Sequence, residues 1–411
     1  MPEPSTAPAA DTGTADTDTP ADTAAASAGT ETAADTATTV ADVVAALEAA
    51  YPPHLAESWD AVGLICGDPA EPANKVAFAL DCTDAVVDAA IEQGAQMLVV
   101  HHPLLLRGVT AVPANSPKGR IVHKLIRHGI ALFAAHTNAD SARPGVNDRL
   151  AEILGITPGA PLRPIPSGTD KWGFTVPLMD APAVKTAVFS AGGGAQGDYE
   201  QACFEFTVTG QFLPTDGANP HLGTVGEVET VQEVRIEFVA PAAQREAIRT
   251  ALIKAHPYEE PAYDCVETSL PTPADQQLGI GRVGELDTPM TLREFTARVA
   301  ERLPATEWGV RAAGDPDAMV RTVAVASGAG DSFLGQVAKM DVDCFVTSDL
   351  RHHPVDEHLR MGGCPVIDTA HWASEFPWCF QAEGVIKKAT QAQTTVIDVR
   401  TDPWTVHEKK Q

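Results

Sequence analysis

Three short stretches of the 411-residue chain gather side chains able to hold metal ions. MLVVHHP carries His101 and His102 side by side, HTNAD ends in Asp140, and DTAHWASE carries His371 and Glu375 four residues apart. Each follows an apolar run with the texture of a strand, and in open α/β sheets ligands sit beyond the carboxyl ends of strands, where loop side chains converge. Adjacent strand residues point to opposite faces, so His101 and His102 serve one site only if the chain turns there, which Pro103 favours. A single such histidine is more often a satisfied structural group. If DTAHWASE opens a helix, His371 and Glu375 share one face about a turn apart, a spacing that lets an imidazole and a carboxylate grip one ion; an ordinary i,i+4 helix pair looks the same. With Asp140 the set holds three imidazoles and two carboxylates. That exceeds a closed tetrahedral zinc and suits two ions sharing carboxylates. We therefore expect two divalent ions per chain, with Zn, Mn, Fe, Co and Ni all compatible with mixed His and carboxylate ligation.

The elements that must position these residues follow from hydrophobic periodicity. VADVVAALEAAYP has helical spacing from Val40 until Pro52 and Pro53 stop it. VAFALD, AVVDAAIEQG, AQMLVVHH, IVHKLIRHG and IALFAAHTNAD then alternate strand and helix textures, which implies a covered, largely parallel sheet with right-handed crossovers. The same grammar returns in VRTVAVASGAG, SFLGQVAKM, VDCFVTSDLRHH, PVDEHLRMGG and CPVIDTAHWASE. This predicts two similar α/β lobes, sharing one sheet or facing one cleft. Between them, strand patterns FTVPL, ACFEFTVTGQF and VQEVRIEFVA alternate with helical AVKTAVFSA and QREAIRTALIKA, a β-α-β-β-α-β order that suggests an inserted ferredoxin-like α+β domain. The expected organisation is a tail over 1–38, a first lobe over 39–167, an insert over 168–271 and a second lobe over 272–411. The tail is nearly all Ala, Thr, Asp, Pro, Ser and Gly, with seven acidic residues and no Lys or Arg, a composition expected to be disordered.

A net charge of −26 argues against nonspecific attraction to nucleic acid or anionic membrane. Seven scattered cysteines, never in C-x-x-C, read as reduced core fillers and a cytoplasmic protein. No apolar run approaches the ~20 residues that span a bilayer, and the first residues lack a secretory pattern. The Gly-rich AGGGAQGDYE lacks the residues of a phosphate loop and reads as a turn.

SWDAVGLICGD, MLVVHHPLLL, AAHTNAD, HPYEEPAYD, GRVGEL and TSDLRHHPVDEHLRMGGCPVIDTAHWASE, in this order, resemble the Nif-three-like family of GTP cyclohydrolase I type 2 homologues, over about Val40 to Arg400. The resemblance implies a two-lobed α/β core with a dinuclear metal centre, a PII/CutA-like insert in long members, and a toroidal homohexamer. Carried over motif by motif, the ligands fall on His101, His102, Asp140, His371 and Glu375, with Glu375 bridging and essential to turnover. Ala61 after Asp60 and Ala139 within HTNAD depart from the family pattern, which touches substrate contacts rather than the ligands. His352, His353 and Asp349 stand at the mirrored strand end, where they can position substrate or relay protons; a surface or supporting role is the competing reading. His136 reads as a supporting residue and Asp60 with Trp59 as a cap on the cleft. ASGAGDS, from Ala326 to Ser332, can offer backbone N–H groups to an anion. The expected function is metal-dependent hydrolysis of a small molecule such as a nucleotide or related phosphate compound. The alternative is a non-enzymatic metal-stabilised ring that senses ligands through the insert.

Overall fold

Met97, Val99, Phe78, Val76, Ala131 and Phe133 face one side of their sheet while Leu98, Val100, Ala77, Ala79, Leu132 and Ala134 face the other, and all twelve are buried. Strands apolar at every position must be covered on both faces. The computed structural model of the chain describes residues 37–166, 168–196, 198–268 and 273–408, and shows that covering. All of the expected tail except Ala37 and Thr38 lies outside the described residues.

The first sheet has the order Gly63–Cys66, Ala131–Ala134, Met97–Val100, Lys75–Ala79, Gln393–Val396, parallel apart from its first strand. The second runs Arg311–Ala313, Val366–Thr369, Cys344–Ser348, Met319–Ala329, Arg282–Thr291, Ile156–Pro158, with a parallel centre of three strands. One hydrophobic layer joins the two. It takes Phe78, Val99 and Phe133 from the first sheet, Val325, Val346 and Ile367 from the second, and the helices Val40–Ala50, Val146–Leu154, Leu292–Arg302 and Trp378–Ala389. Asp84–Glu92 and Pro117–Arg127 cover the outer face of the first sheet, and Leu334–Val337 lies over that of the second.

The lobes exchange end strands. Ile156–Pro158, from the stretch expected in the first lobe, pairs with Arg282–Thr291, and Gln393–Val396, from the second, extends the first sheet. A buried ion pair pins the crossing: Arg282, in GRVGEL, grips both Asp148 carboxylate oxygens at 2.7 and 2.6 Å. It also donates to the carbonyls of Gly279, Gly281 and Ala142.

The insert shows the expected β-α-β-β-α-β sequence. Thr169–Pro177, Phe204–Phe212, Glu229–Pro241 and Tyr263–Glu267 form an antiparallel sheet of ferredoxin-like order, fourth-first-third-second, backed by Ala181–Ser190 and Arg245–Ala255. Its core, including Trp172, Phe174, Val188, Phe238, Ile248 and Leu252, is its own. The stretch read as a Gly-rich turn forms turns over Ala191–Gly194. All seven cysteines are free. No helix of the described residues is long and apolar enough to cross a membrane.

In the insert, the buried His256 donates from Nε2 to the Thr175 carbonyl at 2.8 Å and accepts the Tyr258 N–H on Nδ1 at 3.1 Å. Protonating Nδ1 would set two donors against each other, and burial already holds the imidazole below the usual range. The unfolded chain takes a proton near pH 6.5 while the folded one resists it, so this contribution to stability is present above that pH and is lost as pH falls. Urea midpoints are expected to drop between pH 8 and pH 5.5, and the drop to shrink in His256→Gln. Identical pH profiles for the two proteins would refute the assignment.

Candidate metal centre

The strand Met97–Val100 sends alternate residues inward, and that parity puts His101 in the central layer, fully buried. His102 would point away if the strand continued. Instead the N–H groups of both histidines reach the same carbonyl, Leu80 O, at 3.1 and 2.9 Å, so the chain turns and both rings serve one side. Asp140 lies on the short helix Thr137–Ser141 after the neighbouring strand. Across the cleft, the short helix His371–Glu375 follows Val366–Thr369 and places His371 Nε2 at 3.1 Å from Glu375 Oε2. The second lobe reaches the site again through a bulge in Met319–Ala329, where Ser327 Oγ donates to Asp140 Oδ1 at 3.3 Å.

Glu375, 4% exposed, is the hub. Its Oε2 faces His102 Nε2 at 2.9 Å and His371 Nε2, while Oε1 lies 3.7 Å from His101 Nε2, which stands 3.7 Å from Asp140 Oδ1. Two groups of potential ligands therefore share Glu375: His102 with His371, and His101 with Asp140. A third comprises His101, His102 and His136.

Each histidine is held by its other nitrogen. Nδ1 of His101 donates to the Ala135 carbonyl, that of His102 to Asp81, that of His371 to Asp349, each at 2.7 Å, and that of His136 to Asp60 at 2.8 Å. In the neutral imidazole this leaves a lone pair on Nε2 turned to the centre, the arrangement typical of metal-ligating histidines.

The residues fit a metal on two observations. His101 Nε2 and Glu375 Oε2 are buried without a hydrogen bond, although the carboxylate oxygen has a ring nitrogen at 2.9 Å. Buried polar atoms normally find partners, and each of these two instead faces other potential ligand atoms, as a cation site requires. Atoms ~2.0–2.2 Å from one ion at octahedral or tetrahedral angles lie about 2.8–3.6 Å apart; the 2.9 and 3.1 Å spacings at Glu375 Oε2 fall in that range and the two 3.7 Å spacings at His101 lie just beyond it.

The close packing of the carboxylates and imidazoles also shifts their titration. Glu375 is held well below the usual carboxylate range: burial pushes it up, and His371, His102 and His101 more than reverse that. His102 is raised to about 10 against its own burial by Glu375 and Asp81, and His371 to about 11, first by the Glu375 charge. Asp140 is pushed up, chiefly by burial.

Gly328 lets the second lobe come this close. At φ +62° its backbone is left-handed, and a Cβ there would overlap Glu375 Oε1 and stand 3.2 Å from His371 Nε2. Gly328→Ala is expected to destabilise the chain by ~1–2 kcal/mol through the backbone alone. It should also lower metal content by displacing Glu375. Unchanged melting and metal content would contradict that role.

The five expected ligands thus converge. His352 and His353 do not join them: both are exposed on the first turn of His352–Arg360, ring against ring at 5.1 Å, and neither belongs to a ligand group among the described residues. His101 follows its strand directly, whereas Asp349 to Arg351 intervene before His352, and Asp349 takes the place next to the site, bonding His371. Asp60 acts on His136 and Thr137 rather than as a simple cap, with Trp59 edge-on to His136 at 6.0 Å. Within ASGAGDS, the Gly328 N–H goes to Ser374 Oγ at 3.1 Å.

Sequence reasoning missed Asp81, though it follows the apolar VAFAL at a strand end and the same rule reaches it. Nothing in the sequence marked Trp308, Thr401, Asp402 and Trp404, which line a cavity beside His102 and His371.

A sequence profile of Duf34/NIF3 (NGG1p interacting factor 3) matches residues 38–403. The chain belongs to this family. A protein of Mycobacterium leprae called "GTP cyclohydrolase 1 type 2 homolog" is 51% identical over 367 residues, covering 88% of this chain and 94% of that one. A Bacillus subtilis protein of the same name is 38% identical, covering 85% and 91%. Among solved structures, a Bacillus cereus protein related to NIF3 superposes with a TM-score of 0.61 at 34% identity, over 90% of this chain and 99% of the other. A Staphylococcus aureus protein gives 0.62 at 29% identity, also over 90% and 99%.

Proposed function

We propose that the chain holds two divalent ions, bridged by Glu375, and hydrolyses a small molecule, with nucleotides and related phosphate compounds the first class to test. The observation that carries this reading is the single buried carboxylate facing three imidazoles and lying between two ligand groups. The name of the relatives, "GTP cyclohydrolase 1 type 2 homolog", supports a nucleotide as the class. His102, His371 and Glu375 would hold one ion, His101, Asp140 and Glu375 the other. Such a pair supplies Lewis acidity and an activated water at neutral pH, without selecting a leaving group. The chain's own part is to fix ligand directions: Asp81, Asp349 and the Ala135 carbonyl set the three rings. His136, with Nδ1 committed to Asp60, presents its other nitrogen near His101 and His102. His352 and His353 remain candidates for guiding substrate from the surface. A homohexamer located in the cytoplasm completes the proposal.

Metal analysis of protein purified without chelators is expected to give about two ions per chain, and an unbiased substrate screen with Mn, Fe, Zn or Co to reveal turnover. One tightly held ion, or none, would sink the dinuclear reading.

A ligand-sensing ring is a second reading, favoured by one feature. The insert carries a cavity of about 1040 Å³ lined by Phe212, His221, Glu233 and Tyr258, remote in sequence from the metal ligands.

A further inference from the structure

In the strand Glu229–Pro241, Val234, Ile236 and Phe238 belong to the insert's core, so alternation turns Glu233 to the other face of the sheet, which the two helices leave uncovered. A carboxylate on such a face is normally in water. Glu233 is instead 5% exposed, and it stands in the wall of the cavity of about 1040 Å³ together with Phe212, His221 and Tyr258. Gly210 on the neighbouring strand makes the room, because a Cβ there would lie 2.5 Å from Glu233 Oε2.

A carboxylate so far withdrawn from water calls for an opposite charge. Tyr258 Oη donates to its Oε1 at 2.7 Å, but among the described residues Glu233 forms no ion pair. Burial, and then this carboxylate, hold the Tyr258 phenol above its ordinary range, so it serves as a neutral donor. The rest of the wall adds to the negative charge: Asp216, Glu259 and Glu260 line the cavity, and no Lys or Arg does. His221, the basic group of the lining, stands 3.5 Å from Asp180. Three rings meet here, Phe212 and Tyr258 with centres 5.8 Å apart and His221 6.3 Å from Tyr258. Aromatic faces beside carboxylates favour a cation. None of these side chains belongs to a metal-ligand group among the described residues, so the wall suits an organic cation better than a metal ion.

We propose that this cavity binds a linear organic polycation of the polyamine class, with one ammonium group on Glu233 among the rings and the others toward Asp216, Glu259 and Glu260. The inference rests on the ligand-sensing reading, whose ligand class it names, and does not depend on the ions. An ammonium group brings both the charge and the N–H donors that Glu233 lacks. The methylene spacers of a polyamine match the apolar part of the wall, which includes Val208, Leu213 and Pro220. The same carboxylates repel an anionic ligand such as a nucleotide. The volume is at the upper end of the ~300–1,000 Å³ of small-molecule sites, room for an extended chain.

The probe is spermidine, titrated calorimetrically into the full chain at physiological salt with magnesium present, which screens loose pairing with the acidic surface. Saturable binding at one site per chain is expected. Glu233→Gln should weaken it roughly tenfold, the cost of a charged hydrogen bond, and Tyr258→Leu should weaken it more than Tyr258→Phe, which keeps the ring. The rim change Glu260→Gln should weaken binding too, whereas Glu246→Gln, exposed on the helix Arg245–Ala255 and outside the lining, should leave it unchanged. Octanediol, a chain of similar length without charge, should not compete. Affinity unchanged in Glu233→Gln, an equal loss in Glu260→Gln and Glu246→Gln, or competition by octanediol overturns the proposal. Melting curves check that every variant is folded, and the exposed Glu260 gives a reading even where a change at Glu233 disturbs the insert. Saturable binding of ATP, lost in Tyr258→Leu, without any of spermidine defeats the polycation and leaves the ligand-sensing reading standing. Binding of neither counts against both.

Discussion

Glu375→Gln is expected to cut the metal content of the purified chain from about two ions to fewer than one and to abolish metal-dependent turnover, while the fold persists. Glutamine keeps the volume of the side chain but loses its charge and turns one ligand oxygen into an N–H donor. Both ligand groups contain Glu375, so a single substitution strips each of a member. Losing an outer partner of a ligand already costs about 10–100-fold in metal affinity, so losing a shared ligand should cost at least ~100-fold, about 3 kcal/mol, at each ion. The amide also stops neutralising His102 and His371, now held at about 10 and 11 largely by this carboxylate, so both imidazoles should titrate lower. Elemental analysis, circular dichroism and histidine titration by NMR read these effects separately. A variant that keeps two ions and full activity would remove Glu375 from the bridging position.

Arg282→Ala is expected to be the most destabilising substitution in the core, by roughly 3–5 kcal/mol. Arg282 is fully buried, and Asp148, 3% exposed, would keep only Arg143, whose Nε stands 3.2 Å from it, as a charged partner. Three backbone carbonyls, of Gly279, Gly281 and Ala142, would lose their donor at the same time. Domains are typically stable by only ~5–15 kcal/mol, so soluble yield should fall sharply. Lysine should not rescue, because it cannot reproduce the planar two-pronged grip on Asp148. The paired change Arg282→Met with Asp148→Leu should recover part of the loss, since neither member of the pair is left facing the other's absence, while Arg143 gives up its carboxylate partner. Urea unfolding of the three variants decides the matter. A loss below about 1 kcal/mol for the single change would show that water or relaxation replaces the guanidinium.

Which residues could bind metal was legible in the sequence because ligation depends on side-chain type and on local periodicity. HHP after an apolar strand, and a His and a Glu four apart in HWASE, are local patterns, and short local segments do place them. The family's motifs lie in the same segments, which is why resemblance and spacing selected the same five residues. The insert was readable for a similar reason: its six elements follow one another and close on their own core.

What local pattern could not reach is set by pairing over long sequence distances. Ile156–Pro158 and Gln393–Val396 exchange sheets, each making its ladder hydrogen bonds with a strand of the far lobe, a pairing no window of the sequence contains. His352 and His353 look like a copy of His101 and His102 in sequence. The three residues before them, and the helix they open, turn them to the surface, while Asp349 and Asp81 take the positions that orient His371 and His102. The bulge that brings Gly328 against Glu375, and the return of Thr401 to Trp404 beside His102, likewise exist only once both sheets share one buried layer. The sequence by itself determined the chemistry available to this protein. The tertiary structure decided which of those groups meet, because burying both sheets against one layer brings the strand ends that carry them together.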